Sequence, residues 1–220
     1  MTASSRPYHH GRLRRAVIDT ALQLAEESGE DRISLREVAR RIGVSSGAPF
    51  RHFASHEALM QAIAEEALEA LRLQLERGQH GIAATDALGA LKAMGCSFLD
   101  WALQHPTALR LTSARRLYRF DDSARLRAQF GALRQHTLAV VERAQAAGYF
   151  SAAPTAQVAL GLRAMVYGLA RMHIDGQLPQ WGVSAAAAPQ TLKQTLSLLI
   201  DGLAHAPQAA GRRPVARTRA

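Results

Sequence analysis

With 220 residues, 48% of them hydrophobic, the chain can bury a sizeable core, and its length fits one small domain of about fifty residues joined to a larger one. The single cysteine, Cys96, excludes an internal disulfide, and no apolar run approaches the roughly 20 residues needed to cross a bilayer. The formal charge of +9 is unevenly spread: +3 over residues 1–56, +2 over 57–205 and +4 in the tail from 206, so the ends are basic and the middle is nearly balanced. That distribution suits a nucleic acid meeting the front of the molecule.

The N-terminal basic residues are followed by no apolar signal core, which predicts a cytoplasmic protein. Residues 1–10 read as a flexible basic arm containing Arg6; His9, His10, Arg12, Arg14 and Arg15 make a cationic approach to the first helix. That helix is predicted from about Gly11 to Ser28, with Leu13, Val17, Ala21, Leu24 and Ala25 facing inward and Gly29 ending it.

A second helix, about Ser34 to Ile42, has an apolar stripe of Leu35, Val38, Ala39 and Ile42, while Arg36, Glu37, Arg40 and Arg41 take the other faces as solvated charges. Ser34 is a good N-cap and Glu37 completes a capping box. Ala39 leaves room for a steeply crossing neighbour, and Gly43 stands where a left-handed backbone is cheapest. Ser45 then caps a third helix, about Ser45 to Phe53, whose side chains would face a DNA major groove. Pro49, as its fourth or fifth residue, removes at most one backbone hydrogen bond. The N-terminal amides and the Ser34 hydroxyl of the second helix suit a phosphate. Periodicity alone would equally allow an amphipathic helical hairpin that never touches DNA.

From His56 onward the pattern is helical, without alternating strand segments. A long helix from about Glu57 to Arg77 buries Leu59, Ile63, Ala67 and Leu71, and further helices are predicted near 84–105, 107–117, 122–147, 155–175 and 189–205. The last two carry the most regular stripes: Val158, Leu162, Met165, Leu169 and Met172 on one, Leu192, Leu196, Leu199 and Leu203 on the other, with Gly161, Ala164 and Gly168 beside the first. These stripes suit either a dimer interface or the subunit's own core. Met94, Phe98, Trp101, Tyr118, Phe130, Met165 and Tyr167 supply large, adaptable side chains able to surround a small organic molecule. The tail from 206 to 220 lacks an apolar period and is predicted to be disordered.

The body lacks a nucleophile elbow, a glycine-rich phosphate loop and paired carboxylates near a histidine, so no catalytic residues are assigned. The nine histidines form no ligand-spaced set with carboxylates or cysteine, since adjacent His9 and His10 cannot share a helical face. Neither a metal nor a cofactor is expected. Cys96, on an apolar helix between Met94 and Phe98, reads as buried and inert.

Between Tyr8 and Ile63 the chain resembles the TetR family of bacterial transcriptional regulators. The resemblance is carried by Tyr8-His-His-Gly-Arg-Leu-Arg14, Leu35-Arg-Glu-Val-Ala-Arg-Arg41, Gly43-Val-Ser45, Gly47-Ala-Pro-Phe-Arg-His-Phe53 and His56-Glu-Ala-Leu59. A looser likeness in Met165-Val-Tyr-Gly-Leu-Ala170 and Ile174-Asp-Gly176 points to a subgroup with a Trp-His-Gly-type C-terminal ligand domain, although Tyr167 stands where that subgroup has histidine. The resemblance implies an all-α protein, with a helix-turn-helix domain at 11–56 and a larger effector-binding and dimerisation domain at 57–205.

It also implies that Ser45, Ser46, Gly47 and Ala48 approach base edges, and that Ser34, Phe50, Arg51, His52 and His56 lie at the DNA backbone, with Phe53 as a core anchor. Phe50 lacks the hydroxyl of the family's common tyrosine, and His56 replaces a common lysine; Arg51 with Arg12, Arg14 and Arg15 would compensate. The implied function is a repressor that holds a palindromic double-stranded operator as a homodimer, joined through an intermolecular four-helix bundle, and lets go when a small organic effector enters the body. The alternative is a helical ligand-binding or adaptor protein with little DNA binding.

Overall fold

The computed structural model describes residues 6–29, 33–150 and 153–204, and the side chains among them from Arg12 onward. The described residues form eight α-helices and no strand: α1 (Arg6–Ser28), α2 (Leu35–Ile42), α3 (His56–Gly78), α4 (Ala87–Gln104), α5 (Pro106–Ser113), α6 (Ala124–Ala146), α7 (Thr155–Ile174) and α8 (Ala188–Ala204). This is the expected all-α class. The first helix starts at Arg6, earlier than the spacing predicts, so Arg6 to His10 belong to a helix instead of a loose arm. Residues 1–5 of the arm and the tail from 206 lie outside the described residues.

Two compact units divide the chain, one comprising Met1–Gln74 with Trp101–Leu133, the other Leu75–Asp100 with Arg134–Ala220. This division differs from a boundary at residue 56, and burial explains why. The core of the first unit joins Val17, Ile18, Ala21 and Leu24 of α1, Leu35 and Val38 of α2, and Phe53 to Leu59, Met60 and Ile63 of α3, and to Leu111, Tyr118 and Leu126 further along. α1 and the eight-residue α2 cannot close an apolar core alone. Glu65, buried on α3, is satisfied there by Gln61 at 3.0 Å and by the Ser123 hydroxyl at 3.1 Å, and that same hydroxyl accepts from the Leu126 N–H at the start of α6.

The second unit is organised by the close crossing of α4 with α7 and α8. A Cβ added at Gly95 would lie 2.6 Å from Leu196 Cδ2 and 3.4 Å from Val166 Cγ1, so any larger residue would force the Leu196 side chain to shift at this crossing. Lys92 reaches Asp201 at 2.7 Å and Lys193 reaches Asp100 at 2.6 Å, tying α4 to α8 on both sides of the crossing.

Candidate nucleic-acid interface

The turn that ends α2 forms as its sequence dictates. Ser34 is extended (φ −137, ψ 143) and its hydroxyl accepts the Glu37 N–H at 3.1 Å. The reciprocal half of the capping box is absent, because the Glu37 carboxylate is held by Arg40 at 2.5 and 2.8 Å; this hydrogen bond lowers the Glu37 pKa. Gly43 is left-handed (φ 77, ψ 30), and the Gly43 and Val44 N–H groups both donate to the Ala39 carbonyl at 3.1 Å. Ala39 is fully enclosed, as a methyl at a tight crossing should be.

The segment 45–53 is where the structure corrects the predicted third helix. It consists of turns through residues 46–48 and one 3₁₀ turn, Pro49–Arg51. Proline has no N–H to give the Ser45 carbonyl, so the first α-helical bond of this segment is missing, and Ala48 donates to Ser45 at 2.9 Å instead. Pro49 and Phe53 are buried as anchors, and the Phe53 N–H closes back on the Pro49 carbonyl at 3.0 Å. Between these anchors and the glycine turn, Ser45, Ser46 and Gly47 are exposed and Ala48 is half-buried. Phe50 is 46% exposed, Arg51 is exposed and His52 is half-buried. His56 is half-buried as the first residue of α3, whose start is capped by the Ser55 hydroxyl accepting from Ala58 at 3.1 Å.

The basic residues separate into two groups. Arg14 and Arg15 both reach Glu66 of α3, at 2.6 and 3.0 Å, and Arg15 also pairs with Asp19 at 2.9 Å. Both arginines are therefore ion-paired within the protein, Arg15 with its side chain still exposed. Arg40 is held by Glu37, and Arg41 by Glu27 at 2.6 Å. Arg36 and Arg51 are exposed and have no ion-pair partner among the described residues. Arg36 is thus the solvated charge that its place on the outer face of α2 predicts.

The large side chains expected around an effector fall in both units. In the first, Trp101 and Tyr118 are buried, the Tyr118 hydroxyl donates to the Thr112 carbonyl at 2.5 Å, and burial raises its pKa. That polar handle is thus spent inside the protein. Phe130 is 38% exposed and meets Phe120 edge-on at 5.8 Å, with the Arg115 guanidinium 3.7 Å over the Phe120 ring. In the second unit Met94 and Phe98 are buried and Met165 and Tyr167 are half-buried. Phe98 and Tyr167 share one neighbour, the Arg163 guanidinium, at 4.7 and 5.4 Å. Cys96 is half-buried and burial raises its pKa, the reverse of what an activated thiolate needs.

The stripes assigned to a partner are also redistributed. Leu162, Leu192 and Leu196 are 6%, 2% and 0% exposed, which places them in the chain's own interior; Val158, Met165, Leu169 and Met172 are half-buried. Leu199 and Leu203 are exposed, together with Leu160 and Leu198, which the four-and-three spacing does not select, and with Gly161 and Ala164. No cluster of three or more metal-ligating side chains occurs among the described residues, and no described helix is long and apolar enough to cross a membrane.

A helix, a left-handed glycine turn and an exposed serine-glycine tip, all seated on a shared apolar core, define a helix-turn-helix head on an all-helical protein. Comparison with known proteins agrees. Residues 17–63 match the family described as bacterial regulatory proteins, tetR family, and residues 91–196 match the tetracyclin repressor-like C-terminal domain. An HTH-type transcriptional repressor of Mycobacterium tuberculosis is 31% identical over 119 residues, covering 53% of this chain and 57% of that one. The chain thus spans less than two thirds of that relative's length.

A solved protein of unknown function from Rhodococcus sp. RHA1 is 30% identical, with a TM-score of 0.73 over 91% of this chain and 100% of that one. PfmR, a TetR family regulator of Thermus thermophilus, shares the fold at 18% identity, with a TM-score of 0.69 over 85% of this chain and 98% of its own. The chain belongs to the TetR family of transcriptional regulators.

Proposed function

We propose that the protein is a repressor that binds a palindromic operator as a homodimer in the cytoplasm and is released by a small organic effector. The reading is carried by the exposed Ser45-Ser46-Gly47 tip lying between buried Pro49 and Phe53 on one side and the Gly43 turn on the other. Ser45, Ser46, Gly47 and Ala48 read base edges, while Ser34, Phe50, Arg51, His52 and His56, joined by Arg36, hold the sugar-phosphate backbone. Residues 11–56 act as the DNA-binding domain and 57–205 as the effector and dimer domain.

A head of this size reads few base pairs, so two heads must stand roughly 34–36 Å apart, one helical turn of DNA. The exposed leucines Leu160, Leu198, Leu199 and Leu203, with the small residues Gly161 and Ala164 among them, support α7 and α8 as the face that meets a second subunit. An effector in the body that favours another spacing of the heads by about 1–3 kcal/mol changes operator affinity five-fold to over a hundred-fold.

Selection from random duplex DNA tests this reading: a palindrome with half-sites one turn apart is expected. A chain that enriches no sequence, or that remains monomeric with and without duplex, is instead a helical ligand-binding or adaptor protein.

A further inference from the structure

Arg163 differs from the other α7 and α8 cations of its unit. Lys193 is matched by Asp100 at 2.6 Å, and Arg171 by Asp175 at 2.9 Å one turn along α7. The other lysine of this unit, Lys92, takes Asp201 at 2.7 Å. No described carboxylate lies within ion-pair distance of Arg163; its guanidinium rests against two aromatic rings, 4.7 Å from the centroid of Phe98 and 5.4 Å from that of Tyr167. Phe98 is 4% exposed whereas Arg163 is itself exposed, so the guanidinium covers a buried ring while staying in contact with solvent. Desolvation of the guanidinium lowers its pKa from the ordinary arginine value, yet arginine stays charged at any physiological pH.

A guanidinium stacked on a ring uses its face. Its five N–H donors lie in the plane, pointing away from the ring, and in the exposed Arg163 they face solvent, where a ligand's acceptors can replace water. The ring quadrupole offsets part of the lost hydration but accepts none of those hydrogen bonds. What complements the arrangement is one negative charge with two coplanar acceptors, on a body flat enough to lie beside the half-buried Tyr167. A phosphate dianion, which calls for more than one cation, fits this single stacked guanidinium less well.

We propose that Arg163, Phe98 and Tyr167 form the recognition end of the effector site and that the effector class is an aromatic carboxylate. Its two oxygens accept paired N–H bonds from Arg163, and its ring lies against the half-buried Tyr167, with Phe98 as the buried floor under the guanidinium. The assignment rests on the effector-gated reading above and gives that effector a chemistry.

Calorimetric titration of the full chain with benzoate, salicylate and 2-naphthoate, each beside its neutral amide, tests it. At least one acid is expected to bind ten-fold or more tighter than its amide, the margin of a charge-assisted bidentate pair. Arg163→Met keeps a long apolar stem on the rings and should bring acid and amide to the same affinity. Arg163→Lys keeps the charge without the fork and should retain only part of the preference, which covers the case in which the methionine variant does not fold. Equal binding of acid and amide, no binding of any acid, or an acid preference that survives both substitutions would overturn the assignment. Palindrome selection on the unaltered chain separates the two readings. A palindrome without an acid preference removes the carboxylate assignment alone, whereas an Arg163-dependent acid preference without a palindrome removes the regulator reading and leaves the anion site standing.

Discussion

Arg51 and Arg14 are both arginines of the head, yet their surroundings give them opposite work. Arg14 has a carboxylate at 2.6 Å and lies 5.6 Å from the Phe53 ring, so it braces α1 against α3. Arg51 is exposed and unpaired among the described residues. Arg51→Ala is therefore expected to weaken binding to every duplex and to reduce the salt slope of log affinity by about one, measured by fluorescence anisotropy across a salt series. Ser46→Ala should leave that slope alone and change which sequence is preferred.

The partner of Arg14 lies fifty-two positions away, and no local spacing in the sequence announces such a pair. Ser34 and Gly43 were legible because capping and left-handed geometry are decided within three or four residues. His136 adds a pH dependence at the same scale. Burial lowers its pKa, while its Nε2 lies 2.7 Å from the Gln79 side chain. The unfolded chain holds this proton more tightly, so the folded state loses stability as the pH falls below the ordinary histidine value of 6.5. His136→Asn should flatten that part of a stability–pH profile read by thermal unfolding.

Among the elements, the short helix α2 depends on its ends. Replacing Ser34 by Ala removes the 3.1 Å cap bond and is expected to cost about 1 kcal/mol, read by urea unfolding. Gly95→Ala would gain up to about 1 kcal/mol of helix propensity. It also sets a methyl 2.6 Å from Leu196, in a crossing where overfilling costs about 1–3 kcal/mol, so net destabilisation is expected. Helix positions were readable throughout the body because three-and-four periodicity survives in every long segment. The direction in which a stripe faces was not. Leu162, Leu192 and Leu196 have the spacing of an interface and the burial of a core, since periodicity reports that one face leaves water and says nothing of which neighbour covers it. Pro49 was read as costing one bond of a helix; in so short a segment that one bond decides between α and 3₁₀ geometry.

For the molecule as a whole, the proposed pairing of subunits makes DNA binding depend on a face far along the chain from the reading tip. Leu198, 72% exposed, contributes little to the stability of a single chain. Leu198→Lys is expected to leave the thermal transition of the isolated subunit within about 0.5 kcal/mol while lowering self-association, checked by sedimentation, and to abolish binding to a palindrome but not to a half-site at high concentration. The two compact units also explain why residue 56 is a poor place to cut: Leu59, Met60 and Ile63 lie beyond it, yet they fill the same core as α1 and α2.

The smallness of the tip has a consequence for the genome it would search. Serine, glycine and alanine offer few groups to exchange with base edges, so a protein reading with them must sort its sites largely by mechanical compliance, preferring stretches that bend or narrow at little expense. Changing central steps that no side chain reaches, from a pliant pyrimidine–purine step to a stiff adenine tract, should then shift affinity by as much as altering a base beneath Ser46.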